Sequence, residues 1–151
     1  MKILLTATGG GHLEQLKNLY SLKNEHQVTV VVCKNKVNSA LKDVEFIPDY
    51  RNERKVIRFF DLARIFIKSF FLLCKFKPDC VISTGAGATY PLLWLQKKWF
   101  RKKVIFIESF ARRTSASKTG KRVYKFADHF IVQWEELKEI YPNAIYGGMI
   151  Y

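Results

Sequence analysis

Met1-Lys2-Ile3-Leu4-Leu5-Thr6-Ala7-Thr8-Gly9-Gly10-Gly11-His12 is the stretch whose reading decides the fold. An apolar run, residues 3–7, ends on three consecutive glycines, the form of a buried parallel strand that turns at once into a helix. Residues 12–22 carry Leu13, Leu16, Leu19 and Tyr20 at a helical period. Residues 28–33 are β-branched and continuous, so they read as a second buried strand. Strand, helix and strand within about thirty residues make a βαβ unit.

The alternation continues outward from that unit. Strands are expected at 44–47, where Pro48 stops the run, and at 80–83, 104–108, 130–133 and 144–146. Helices are expected at 56–76, 89–100 and 135–140, and residues 109–120 read as a polar loop. The pattern specifies an α/β chain with a Rossmann-like, doubly wound parallel sheet covered on both faces. With 151 residues, no linker and no internal repeat, residues 1–151 are read as one domain.

Composition narrows the partners. A hydrophobic share of 48% supplies a core and sets disorder aside. Lys and Arg outnumber Asp and Glu by 26 to 13, and a surface of +13 attracts polyanions: nucleic acid, anionic membrane or phosphorylated substrates. Twelve Phe in so basic a chain favour a membrane surface over nucleic acid. Cys33, Cys74 and Cys80 are odd in number and scattered, neither a disulfide framework nor a zinc site, so no metal is expected. The first apolar run is too short for a signal peptide, and a cytoplasmic protein is expected.

Two glycine turns fall at carboxyl ends of strands, where open α/β sheets bind ligands. In Thr8-Gly9-Gly10-Gly11-His12 the glycines allow close backbone approach to an anion, and the helix start adds a positive dipole end. The spacing is neither the dinucleotide fingerprint nor a P-loop, so no nucleotide cofactor is implied. A tight turn without a ligand fits the same residues. His12 opens the helix, as a base, a phosphate donor or a simple cap. Ser83-Thr84-Gly85-Ala86-Gly87 occupies the equivalent place after the fourth strand, for ligand contact or close packing. Glu108 ends the fifth strand, where a carboxylate can bind sugar hydroxyls or act as a base. Ser109-Phe110-Ala111-Arg112-Arg113, with Lys118 and Lys121, can form an anion site or a solvated loop.

The order of these motifs resembles a known family. Gly10-Gly11-His12, Ser83-Thr84-Gly85-Ala86-Gly87, Glu108-Ser109 with Arg112, Thr119-Gly120-Lys121, Gln133-Trp134, and Tyr141-Pro142 leading to Tyr146-Gly147-Gly148 carry it. That family is the membrane-bound, acceptor-side subunit of the bipartite UDP-N-acetylglucosamine transferase of dolichol-linked oligosaccharide synthesis. The chain looks closest to its bacterial members, encoded with capsular and exopolysaccharide enzymes. The resemblance implies the N-terminal half of a GT-B glycosyltransferase, with a separate donor-side subunit holding the UDP-sugar. It implies an acceptor diphosphate at Gly9, Gly10, Gly11 and His12, and an acceptor side lined by Ser83, Thr84, Gly85, Ala86, Gly87, Glu108, Ser109 and Arg112. His12 and Glu108 are then the candidate catalytic bases. Eukaryotic members begin with a membrane-spanning helix and this chain begins at the strand, so attachment is expected from elsewhere.

Two segments are expected to supply it. In residues 56–76, Arg58, Asp61, Arg64, Lys68 and Lys75 recur at helical spacing and form one polar stripe, too charged for a bilayer span. The helix is expected to lie in the membrane interface or to cover the core, with Phe59, Phe60, Phe66, Phe70 and Phe71 divided between the two. Lys97-Lys98-Trp99-Phe100-Arg101-Lys102-Lys103 interleaves aromatics and cations, and Lys98, Trp99 and Arg101 are expected at head groups. The apolar ending Met149-Ile150-Tyr151 is expected to dock on the partner subunit.

The expected function is therefore an acceptor-binding, membrane-recruiting subunit, peripheral on the cytoplasmic face of the plasma membrane. It would present an undecaprenyl-pyrophosphate-linked saccharide to a UDP-sugar-binding partner, and be inactive alone. A non-catalytic membrane scaffold is the second reading. A basic nucleic-acid-binding domain is the third, and the lack of any RRM, KH or zinc-finger motif counts against a nucleic-acid partner.

Overall fold

A computed structural model describes residues 1–35, 38–50 and 55–150, with backbone alone for 55–58. Seven parallel strands form one sheet in the order β3-β2-β1-β4-β5-β6-β7. They are β1 (Lys2–Ala7), β2 (Gln27–Cys33), β3 (Glu45–Ile47), β4 (Cys80–Ser83), β5 (Lys103–Ile107), β6 (His129–Val132) and β7 (Ile145–Tyr146). Each expected strand is present, with ends moved by at most one residue. The fold is the Rossmann-like α/β class read from the sequence.

Side-chain alternation explains why these strands read as unbroken apolar runs. Leu4, Val31, Val81, Val104 and Phe106 point into one core, and Leu5, Val30, Val32, Ile82 and Ile107 into the other. With both faces covered, period two leaves no polar position. The helices are α1 (Gly11–Lys17), α2 (Lys55–Phe76), α3 (Tyr90–Trp94) and α4 (Lys118–Val123). Leu13 and Leu16 of α1 cover the second core; α2, α3 and α4 cover the first through Ile65, Leu92 and Val123.

The long helix α2 matches the expected 56–76 to within one residue, while the shorter helices depart from their expected spans. α1 ends at Lys17, and a 3-10 turn, Tyr20–Asn24, completes the connection. The segment 89–100 is α3 followed by a π-helical turn, Leu95–Trp99. Residues 135–140 form only a 3-10 turn, Glu135–Glu139. The expected loop 109–120 ends in α4, because the Ser117 hydroxyl accepts the Gly120 N–H at 2.8 Å and caps a helix there.

The strand order fixes where a ligand can sit. The chain runs outward from β1 to β3, then returns to place β4 on the other side of β1. The carboxyl ends of β1 and β4 thus flank the topological switch point, and both glycine turns lie there.

Candidate functional site

At the switch point the two glycine turns are tied into one unit. The Thr8 N–H donates to the Gly85 carbonyl at 3.1 Å. The Thr84 hydroxyl donates to the His12 carbonyl at 2.7 Å, and the Thr84 carbonyl lies 2.7 Å from His12 Nδ1. A carbonyl can only accept, so Nδ1 carries the proton. Nε2 is left as the basic nitrogen of a half-buried ring, without a partner among the described residues. Gly85, at φ +103°, lies against that ring, and a Cβ there would stand 3.1 Å from His12 Cε1. Both its backbone angle and its close approach require glycine.

The sequence expected ligand contacts from every member of the second turn, and the structure divides them. Ser83 and Thr84 are fully buried. The Ser83 hydroxyl accepts the Gly85 N–H and meets Thr89 Oγ1, and the Thr84 hydroxyl is spent on His12. These two side chains build the turn and do not face a ligand. Ala86 and Gly87 remain partly open. In the first turn, Gly10 at φ +74° starts α1, and its carbonyl takes the N–H of Leu13 and of Glu14. Gly11 and His12 then open the helix, where amides have no intrahelical acceptor.

Glu108 is a correction. Its side chain is 1% exposed, and its carboxylate accepts from the Ser109 N–H (2.9 Å), the Ser117 N–H (3.2 Å), the Ser117 hydroxyl (3.1 Å) and the Tyr141 hydroxyl (3.0 Å). Burial first, then the facing carboxylate, hold the Tyr141 phenol well above its ordinary pKa, so it stays a donor. Three of these bonds fall on Oε2 and one on Oε1, and the group is shut from solvent, so its place here is as the organiser of the loop that leads into α4. Arg112 also moves out: it is exposed and reaches Ser115 at 3.3 Å. Arg113 pairs with Glu136 and lies over the Trp134 ring. Ser109 is half-buried, and its carbonyl accepts the Arg112 N–H.

The cations that do reach the site edge come from α4. A pocket of about 650 Å³ opens between the second glycine turn and this helix, lined by Tyr50, Leu62, Gly87, Tyr90, Lys118, Thr119 and Arg122. Lys118 and Arg122, one turn apart, share a helix face, and neither makes an ion pair among the described residues. Arg122, Tyr50, Tyr90 and Leu62 were missed in the sequence. The spacing of Lys118 and Arg122 was a legible signal, hidden by reading 109–120 as loop. Gly87 joins this pocket to His12 across two residues of the same turn.

The apolar face of α2 borders the pocket through Leu62. The expected polar stripe is broken. Asp61 is fully buried and turns inward with Ile65, Ser69, Leu72 and Leu73. It holds Arg64 at 3.3 Å. Outward point Phe59 (69% exposed), Phe60, Phe66, Ile67 and Phe71 (64%), among Arg64 and Lys68. Phe70 lies between the two expected roles: it is half-buried, with its ring packed on Phe100 and on Trp99. Trp99 is 66% exposed, with Lys98 and Arg101 exposed beside it. The Arg58 side chain lies outside the described residues. Among those described, no helix is long and apolar enough to cross a membrane.

The chain's last described residues also differ from expectation. The Ile150 N–H donates to Gln133 Oε1 at 3.0 Å, and its carbonyl takes the Asn18 amide at 2.8 Å. The Ile150 backbone is therefore held on its own domain by the Gln133 and Asn18 side chains. Met149 is exposed, and Tyr151 lies outside the described residues.

Comparison with known proteins adds to this geometry. A family model described as "Oligosaccharide biosynthesis protein Alg14 like" matches residues 3–150. The human UDP-N-acetylglucosamine transferase subunit ALG14 is 32% identical over 99% of this chain and 83% of its own length. Relatives of the same name come from rodents and fungi. Among solved structures, MurG of Acinetobacter baumannii superposes with a TM-score of 0.71 at 18% identity, over 90% of this chain and 43% of MurG. The lipopolysaccharide outer core galactosyltransferase WaaB gives 0.66 at 18%, over 97% and 43%. The chain spans less than half the length of these neighbours, and shares the Rossmann-like α/β fold of the region it matches in them.

Proposed function

The chain belongs to the Alg14 family of oligosaccharide biosynthesis proteins, and from that premise we propose that it is the acceptor-side subunit of a two-part UDP-sugar transferase. Residues 1–151 act as one domain, the counterpart of the N-terminal half of a GT-B enzyme. A donor-side partner brings the UDP-sugar. The observation that carries this reading is the pocket beside the switch point. Lys118, Arg122 and the Gly87 backbone offer positive charge at one end, and Leu62 leads onto the exposed apolar side chains of α2. A diphosphate with an apolar tail has that same order of chemistry.

The diphosphate lies between the glycine turns and α4, and the acceptor sugar faces His12. Phosphate oxygens accept from charged side chains and backbone amides at roughly twice the strength of neutral pairs. His12 Nε2, freed by the bond at Nδ1, takes the proton of the attacking hydroxyl as its oxygen bonds to the donor sugar's anomeric carbon and the nucleoside diphosphate leaves. The anomeric centre inverts. Exposed aromatics and cations on α2 and around Trp99 hold the subunit against the membrane face where the lipid resides. The carrier is undecaprenyl pyrophosphate, and the pathway is capsular or exopolysaccharide assembly on the cytoplasmic face. Here the motif resemblance is the support, since the named relatives are eukaryotic.

The test is a transfer assay with this chain, its partner, and both. Activity only with both supports the half-enzyme. Full activity of the partner alone, merely enhanced on membranes by this chain, would make the chain a scaffold.

A further inference from the structure

A second groove lies on the opposite flank of α2 from the acceptor pocket. It holds about 410 Å³, and its walls include Phe46 beside β3 and Ile67 and Phe71 of α2. Three cations edge it: Lys34 at the end of β2, and Arg64 and Lys68 one helical turn apart. Lys34 Nζ stands 5.9 Å from the Phe46 ring centroid. Arg64 is steadied by buried Asp61, and Lys68 makes no ion pair among the described residues; of the carboxylates next in sequence to the groove walls, Glu45 pairs with Lys75 and Asp49 accepts the Tyr50 N–H.

We propose that this groove binds the head of an anionic phospholipid, with the phosphodiester among Lys34, Arg64 and Lys68 and the first acyl carbons against Ile67 and Phe71. Charge complementarity selects the occupant. Three cations line the rim, and the Asp61 and Glu45 carboxylates beside it are each already paired with a cation, so the charge suits an anionic head better than a choline or ethanolamine head. The walls are apolar, and they run without a break into the exposed Phe side chains that a membrane would cover. The volume takes a head group and the start of a chain, not a whole lipid. The site is distinct from the acceptor pocket, whose cations come from α4. It would favour anionic lipid domains for the subunit, with α2 held flat on the surface. The assignment rests on the peripheral-membrane reading, and the experiment separates the two.

Two measurements are combined. Monomeric short-chain phosphatidylglycerol, below its critical micelle concentration, is titrated into the protein while the Ile47 and Ile67 methyl resonances are followed. Sedimentation is measured with vesicles of phosphatidylcholine and with equal parts phosphatidylcholine and phosphatidylglycerol. The variant is Lys34→Gln with Lys68→Gln. Its control is Lys23→Gln with Lys42→Gln, which removes equal charge next to Leu22 and Leu41 of the opposite core. Saturable shifts with phosphatidylglycerol and weaker ones with phosphatidylcholine are expected. The groove variant should partition onto anionic vesicles roughly thirtyfold less, and equally well onto phosphatidylcholine. The control should change by no more than about twofold, since charges beyond a Debye length are screened. Equal losses in both variants, or shifts produced as strongly by inorganic phosphate, would overturn the groove. Vesicle binding without methyl shifts would overturn it and leave the membrane reading. Shifts without vesicle binding would support the groove and sink that reading.

Discussion

At Thr84 the carbonyl oxygen accepts the Nδ1–H of His12 and so leaves Nε2 as the ring's lone-pair nitrogen, while at Glu108 four donors converge on a buried carboxylate. Sequence reading offered both as bases, because His12 opens the first helix and Glu108 ends the fifth strand, both at the sheet's carboxyl edge. It could not show that Ser117 and Tyr141, distant in sequence, converge on one of them. Replacing His12 with Gln should lower turnover of the assembled enzyme on the order of 10²- to 10⁴-fold, with complex formation unchanged by co-purification. Turnover within about threefold of wild type would remove His12 as the base. Glu108→Ala should instead cost about 2–4 kcal/mol in chemical denaturation, since it strands buried donors. Cysteine chemistry offers a check on burial. Buried Cys80 has its thiol pushed up to about 11, chiefly by desolvation, and Cys33 is buried and raised too. At neutral pH a thiol reagent should therefore titrate half-buried Cys74 alone in the native state, and all three once the chain unfolds.

At the scale of elements, the strands and the long helix α2 were legible, and the shorter helices were not. A strand buried on both faces announces itself as a short apolar run, as β1, β2 and β4 do. Helix phase depends on what packs against it. In α2 the spacing of charges marked a polar stripe, yet Asp61 is the residue the core accepts, and the Phe side chains take the outside. The inversion has an energetic signature. Phe59→Ser with Phe71→Ser should leave stability within about 0.5 kcal/mol, as exposed sites do. It should weaken partitioning onto vesicles roughly tenfold or more per side chain, given about 1.5–3 kcal/mol for a buried Phe. Ile65→Ala on the inner face should do the reverse, costing about 2–5 kcal/mol of stability. The second glycine turn was legible as a turn, but not as the shelf for the His12 ring. Only the pairing of β1 with β4 puts Gly85 beneath it.

For the whole molecule, a net charge of +13 without a nucleic-acid motif becomes intelligible in two places. Lys118 and Arg122 face the acceptor pocket, and Lys34, Arg64 and Lys68 rim the groove on the far side of α2. Both lie along one helix whose outer side chains are apolar. The proposed lipid surface and lipid-linked diphosphate sites thus lie on one side of the domain, and the switch point opens beside it. The central claim is that this chain alone grips the acceptor and leaves the sugar nucleotide to a partner. Calorimetric titration of the isolated protein with a short-chain polyprenyl-diphosphate saccharide, and separately with UDP-N-acetylglucosamine, tests it most directly. The account predicts saturable binding of the lipid diphosphate, weakened at least roughly tenfold by Lys118→Gln with Arg122→Gln, and no binding of the nucleotide sugar. Saturable binding of UDP-N-acetylglucosamine with no response to the lipid diphosphate would contradict it.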